Sequence, residues 1–413
     1  MTGRADPGRG TRETAGRGLS VDDVAPPLIA GFGLALVAWL TLGLLTGNLP
    51  LPGGSNGGNG PIAGRTPAPS NVVVVPPAPF EVEGQIVYVK AGNVWIQSGR
   101  SARQLTSTGR ASMPSFSPDG RWVYYVETVD EIGRHRPSAG DRLRRYAMTV
   151  PNVMRTRTDG TGEPERIATG RYRSGGELWF YWLRQPVLSP DGRTLAVLSD
   201  GPSPTRTNVV VQFIDVETKA MTNPRLPQNA PLGHQDPAWR PDGRSLLFVR
   251  NGRDGARGTP SIMRYNPATK AVSALTGPGY LSPSWSRNLQ YVAATRTDGF
   301  GTDVVILDAR TGAELLRLTR DDRSWAPVWS PRGDAIAYLH MEAGIVDLKL
   351  VKLEGTGPAW TVGETIDLTE LSGLDGGSRP YWFVPPENLP PLPTAAPPSP
   401  PAGSAGAPAS TAP

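Results

Sequence analysis

Between residues 84 and 383, runs of four or five apolar residues recur at regular spacing, each bounded by turn-forming residues. They read WVYYV at 122–126, LAVL at 195–198, LLFV at 246–249, YVAA at 291–294 and IAYL at 336–339. Runs this short, mixing aliphatic and aromatic residues between turn signals, predict β-strands rather than helices. Further strands follow within each unit, at NVVVQFI 208–214, SIMRY 261–265, DVVIL 303–307 and VDLKLV 346–351. Short Leu-Thr endings recur after them, at Leu105-Thr106, Leu275-Thr276, Leu318-Thr319 and Leu368-Thr369.

A common motif precedes each apolar run. It reads PSFSPDG at 114–120, PVLSPDG at 186–192, PAWRPDG at 237–243, PSWSRNL at 283–289 and PVWSPRG at 327–333. Proline presets φ, aspartate bonds the turn backbone and glycine accepts positive φ, so motif and run together predict a β-hairpin. The aspartates Asp119, Asp191 and Asp242 are thereby assigned to turns rather than to an acidic site. Counting the proline of PYW at 380–382, the motif prolines lie 72, 51, 46, 44 and 53 residues apart, close to the length of a four-stranded propeller blade. The region opens on GQIVYV at 84–89, a second strand without its first, and closes on PYW at 380–382, a first strand without its second. Joined, these halves make a sixth unit, and closure of this kind removes open sheet edges. The expected fold is all-β: a six-bladed β-propeller closed by a C-terminal strand in the N-terminal blade, preceded by one transmembrane helix.

The motif Pro-x-Trp-Ser-Pro-Asp-Gly-Arg with its following strand resembles the WD-like repeat of the TolB β-propeller family, over residues 84–383. That resemblance implies a protein-binding module of the bacterial envelope. Similar repeats form the regulatory propeller of prolyl-oligopeptidase-type enzymes. The chain departs from both patterns, with an anchor and linker in place of TolB's N-terminal α/β domain and no α/β-hydrolase domain after the last blade.

Residues 24–64 carry no charge, and 28–46 read LIAGFGLALVAWLTLGLLT. A helix of that length spans about 28 Å, nearly the hydrocarbon thickness of a bilayer. Arg4, Arg9, Arg12 and Arg17 precede it and Arg65 is the first basic residue after it, which predicts a cytoplasmic N-terminus and an extracytoplasmic propeller, periplasmic or at the cell surface. The expected organisation is a disordered cytoplasmic segment 1–25, a transmembrane helix 26–47, a Gly/Pro-rich linker 48–83, the propeller 84–383 and a disordered Pro/Ala-rich tail 384–413. A GxSxG match at 53–57 lies in the linker without the strand and helix a nucleophile elbow needs.

Charge and composition narrow the function. The 42 basic and 37 acidic residues are spread along the chain, without the concentrated stripe of a nucleic-acid binder. The absence of cysteine excludes disulfides, thiolate metal sites and a lipidated cysteine. No catalytic set, metal site or cofactor is expected, and the propeller is expected to be monomeric.

Binding is expected at the channel mouth, where chain enters the innermost strands. Immediately before the motif prolines stand Met113, Gln185, Asp236, Ser282, Ala326 and Arg379, with His234, Gln235, Tyr280 and Trp325 one or two places earlier. The long first interval adds a loop near 127–151 containing Arg142, Arg144 and Arg145, read either as a solvated surface loop or as a grip for anionic groups. The aromatic run 179–182, bounded by Trp179 and Trp182, is read as two buried and two partly exposed side chains. The leading function is a protein- or polymer-binding scaffold of the cell envelope, its partner an envelope protein or polymer. The alternatives are a propeller hydrolase or lyase with a site in the channel, and an extracytoplasmic ligand sensor.

Overall fold

The computed structural model describes residues 80–393, apart from 139, 203–207, 230–232, 253–258 and 299. The anchor, most of the linker and residues 394–413 lie outside the described residues. Among the described residues no helix is long and apolar enough to cross a membrane.

Six antiparallel sheets form the molecule. The innermost strands are Ala111–Phe116, Arg184–Leu188, His234–Trp239, Tyr280–Trp285 and Ser324–Trp329 for blades 1 to 5, and Tyr381–Phe383 for blade 6. Blade 6 is completed from the other end of the region by Val82–Lys90, Asn93–Gly99 and Ser101–Gln104. Tyr381 pairs with Val87, Trp382 with Ile86 and Phe383 with Gln85, which closes the ring. The Trp382 indole donates to the Glu83 carbonyl at 2.8 Å, and Arg332 of blade 5 grips the Glu83 carboxylate with two guanidinium nitrogens. At Gly84 φ is +73° and an added Cβ would fall 2.1 Å from the Phe383 carbonyl, so glycine is required at the seam.

The core is divided into six apolar clusters, one in each gap between neighbouring blades. Strand alternation explains the unbroken apolar runs. Leu246 and Phe248 face blade 2, whereas Leu247 and Val249 face blade 4. Ile86 and Tyr88 likewise face blade 5, and Val87 and Val89 face blade 1. Every second strand is covered on both sides, so neither face can be polar.

The turns behave as their residues require. Asp119, Asp191 and Asp242 each accept the N–H two residues on, at 3.1 Å, and Asn288 does the same in the fourth repeat. Leu289 there holds φ +65° where the other repeats use glycine. The Leu-Thr endings carry a second recurring device. Thr106, Thr276, Thr319 and Thr369 each accept an N–H from a third strand through Oγ1, at 2.9 to 3.0 Å.

Two boundaries differ from expectation. Pairing begins at Val82 rather than Gly84. Order also continues past Phe383: Val384 is buried, Pro386–Asn388 forms a 3-10 turn, Leu389 packs on the core and the Pro390 carbonyl accepts from Arg287 at 2.9 Å.

Blade 1 is larger than the rest. Its second and third strands, Trp122–His135 and Arg144–Arg157, continue well past their neighbours, and the hairpin Arg171–Ser174 and Glu177–Phe180 pairs onto the extension. The surplus residues of the first interval therefore form a β-arm rather than a loop, rising from the side where the innermost strands begin.

Candidate binding site in the central channel

Met113, Gln185, Asp236, Ser282 and Ala326 all adopt positive φ, between +47° and +53°. Each precedes a motif proline and sits where the pairing register of its innermost strand breaks. Left-handed backbone at a residue other than glycine costs on the order of 1 kcal/mol, so the strain must be offset by what the bulge presents. It presents an N–H to the preceding blade.

Those N–H groups are taken up in sequence around the channel. Met113 N–H donates to Ser378 Oγ at 2.9 Å and Gln185 N–H to the Met113 sulfur at 3.3 Å. Asp236 N–H donates to Gln185 Oε1 at 2.7 Å, and Ser282 N–H to Asp236 Oδ2 at 3.0 Å. Ala326 N–H reaches Thr295 Oγ1 at 3.0 Å. Gln185 Nε2 and Ser282 Oγ also donate to Asp236, at 2.7 and 2.8 Å, so its carboxylate joins blades 2, 3 and 4. The expected ligand ring is therefore largely a set of struts between blades.

The other expected residues diverge. His234 turns into the gap between blades 2 and 3, where Nδ1 accepts from Val211 N–H at 3.2 Å and Nε2 lies 2.8 Å from the Pro227 carbonyl. Burial pushes its pKa down to about 4. It does not converge with Asp236. Tyr280 bonds Glu314 at 3.1 Å, Trp325 donates to the Gly376 carbonyl at 2.9 Å, and Gln235 lies half-buried at the bulge. Arg379 alone reaches across, donating to the Pro283 carbonyl of blade 4 at 2.7 Å. Arg184, missed in the sequence, stands close enough to Asp236 and Asp375 to feel their charges, which oppose the lowering of its guanidinium pKa by surrounding protein, and its side chain stays open to solvent.

Beyond Arg379, towards the Pro-Asp-Gly turns, the channel opens into a cavity of about 210 Å³ between blades 3, 4, 5 and 6. Trp239, Trp285, Trp329 and Trp382 wall it with the motif prolines, and Arg287 and Arg379 supply positive charge. Trp239 donates its indole N–H to Val187, while the equivalent nitrogens of Trp285 and Trp329 are buried without a partner among the described residues. A smaller cavity of about 20 Å³ lies on the other side of Arg379, against Gln185 and Met113. Neither cavity is lined by aspartate, glutamate or histidine. The signal for the larger one was the repeated Pro-x-Trp itself, which reads as a mark of the fold before it reads as a wall.

The aromatic run differs from expectation. None of the four side chains is fully buried; Leu183, next in line, is. Trp179 belongs to the arm, stacked on His135 at 4.7 Å, and Trp182 is 44% exposed. Trp182 N–H donates to Asp200 at 2.7 Å, and burial pushes that carboxyl up to about 6 against the pull of this bond. Arg142, Arg144 and Arg145 are exposed, but Arg144 and Arg145 are consecutive in one strand and so point to opposite faces.

No family model and no curated protein matches the chain. Solved structures do. TolB from Acinetobacter baumannii aligns with a TM-score of 0.51 and 19% identity over 72% of this chain, which spans 66% of that protein, just under two thirds. A putative TolB from Agrobacterium tumefaciens aligns at 0.50 and 16% identity, over 74% of this chain and 95% of its own. A nidogen/laminin complex aligns at 0.50 and 10% identity, over 72% and 97%. What these structures share with the chain is its backbone architecture, a TolB-like six-bladed β-propeller.

Proposed function

We propose that the chain is a binding scaffold of the bacterial cell envelope, an extracytoplasmic propeller tethered to the membrane through residues 28–46. Its partner is a protein segment that inserts between the tryptophan walls of the larger cavity. The observation that carries this reading is the chemistry of that cavity. Aromatic and proline surfaces give apolar contact, and Arg287 and Arg379 suit a carboxylate. Among the described residues lining the cavity there is no carboxylate or imidazole and Tyr381 is a wall residue, which supports the scaffold reading over a channel hydrolase or lyase.

A photo-crosslinking residue at position 287 of the full chain, in intact cells, tests the reading. One discrete protein adduct is expected, lost when Trp285→Ala and Arg379→Ala are combined and unaffected when the crosslinker-bearing chain carries Arg100→Ala. No adduct, or one indifferent to the cavity substitutions, would remove the cavity from the account. Deleting residues 1–47 should move the protein from the membrane to the soluble fraction.

A further inference from the structure

The arm of blade 1 carries a row of arginines that the channel does not use. In blade 1 the innermost strand stops pairing at Ala111 with Glu127, and the outer strand at Thr169 with Asn152. The pairs from Thr128 with Pro151 to His135 with Arg144 stand beyond them. Eight residues at strand rise project about 25 Å. The second hairpin joins this extension through Arg134 and Leu178, widening it to four strands.

Register then decides which side chains share a face. Arg145 is opposite Arg134, Arg134 is opposite Leu178, and Leu178 is opposite Arg173. Residues directly opposite lie on one face, so Arg145, Arg134 and Arg173 form a row across four strands, about 14 Å from end to end. All three are exposed. No hydrogen bond or ion pair is made by their side chains among the described residues.

The nearby acids do not answer the row. Asp130 is held by Arg110 and Thr149, Glu131 by Arg171, and Glu177 by the Arg136 N–H. On the opposite face Trp179 stacks on His135 at 4.7 Å and meets Tyr146 edge-on at 5.8 Å, which stiffens the platform. Like charges placed directly opposite cost stability and return nothing within the fold.

We propose that this face of the arm docks a linear polyanion, a polymer bearing a phosphate or carboxylate on each repeat, laid across the strands. Arginine forks bind such groups in bidentate fashion, and strand spacing sets the cations about 5 and 10 Å apart along the row. A lipid surface fits less well. The apolar side chains on this face include Ile132, 52% exposed, with Leu178 and Phe180 in register beside it and only partly exposed, whereas the arginines of the row are open to solvent. The arm rises from the side opposite Val82 and Phe383. The row itself does not depend on the tether or on what the cavity binds.

The test uses full-length protein in detergent with two probes, long-chain inorganic polyphosphate and polygalacturonate, and fluorescence anisotropy at two salt concentrations. Wild type should bind at least one probe, more tightly at low salt. Combining Arg134→Ala, Arg145→Ala and Arg173→Ala should weaken binding at least tenfold with an unchanged melting temperature. The three lysine substitutions should recover affinity to within a few fold. A control chain with Arg100→Ala, Arg193→Ala and Arg320→Ala loses equal charge and should bind within twofold of wild type. The proposal is overturned by absence of binding to both probes, by equal loss in control and row variants, or by row-dependent binding to phosphatidylglycerol vesicles alone.

Discussion

The channel mouth and the arm of blade 1 are both rich in polar side chains, but they spend them in opposite ways. At the mouth, Gln185, Asp236 and Ser282 bond one another across three blades. On the arm, Arg134, Arg145 and Arg173 face solvent in one row and bond nothing described within the chain. A polar group whose partners are internal holds the fold together, and its loss is read in stability. One without internal partners leaves stability untouched when removed, and its loss is read in binding.

Asp236→Ala is the most direct way to break this contrast. It strands the Gln185 amide and two donors of Ser282 at a site where Asp236 is 5% exposed. Unsatisfied buried donors predict a loss of about 4 kcal/mol in denaturant unfolding. An unchanged midpoint would return Asp236 to the ligand set.

Acid titration sharpens it next. Folded His234 has a pKa of about 4 against 6.5 when free, so between those values the unfolded chain binds more protons. Stability from His234 is complete above pH 6.5 and drains away towards pH 4, by up to about 3 kcal/mol. Asp200 has the opposite sign, because its folded value of about 6 exceeds the free value. Its neutral form is favoured by folding, so Asp200 favours the fold more as pH falls from 6 towards 4. His234→Gln should therefore lose less stability than wild type between pH 6.5 and 4, and parallel curves would count against the buried neutral ring.

A smaller change belongs to the turns, where neither struts nor free charges intervene. Leu289→Gly should raise stability by about 1 kcal/mol, because glycine occupies φ +65° without the steric penalty leucine bears. The smallest effect is expected on the arm itself. The triple alanine variant of Arg134, Arg145 and Arg173 should unfold within about 0.5 kcal/mol of wild type, on the stable side if relief of repulsion prevails. A large destabilisation would mean that these arginines are struts as well.

Much of the fold was legible in the chain. Leu246, Leu247, Phe248 and Val249 announce a strand covered on both sides, and Asp191-Gly192 announces the turn before the next strand, because both signals are local. The site was less legible. Placing Gln185, Asp236 and Ser282 before the motif prolines correctly gathered them near one another, but their partners lie 51 and 46 residues away and consume them. His234 stood two places from Asp236 and was grouped with it, yet it entered a different blade gap. The arginines near residue 144 were visible as a cluster, whereas the row was not, since Arg173 comes from a separate hairpin.

By itself the chain determined the number of blades, the turn chemistry and the strand exchange at the seam, because repeat length, apolar periodicity and Pro-Asp-Gly are properties of neighbours in sequence. Tertiary structure alone decided which polar groups are consumed and which remain available. Satisfaction of a hydrogen bond or a charge depends on distances of a few ångströms between segments tens to hundreds of residues apart, and only the closed ring and the register of the arm set those distances.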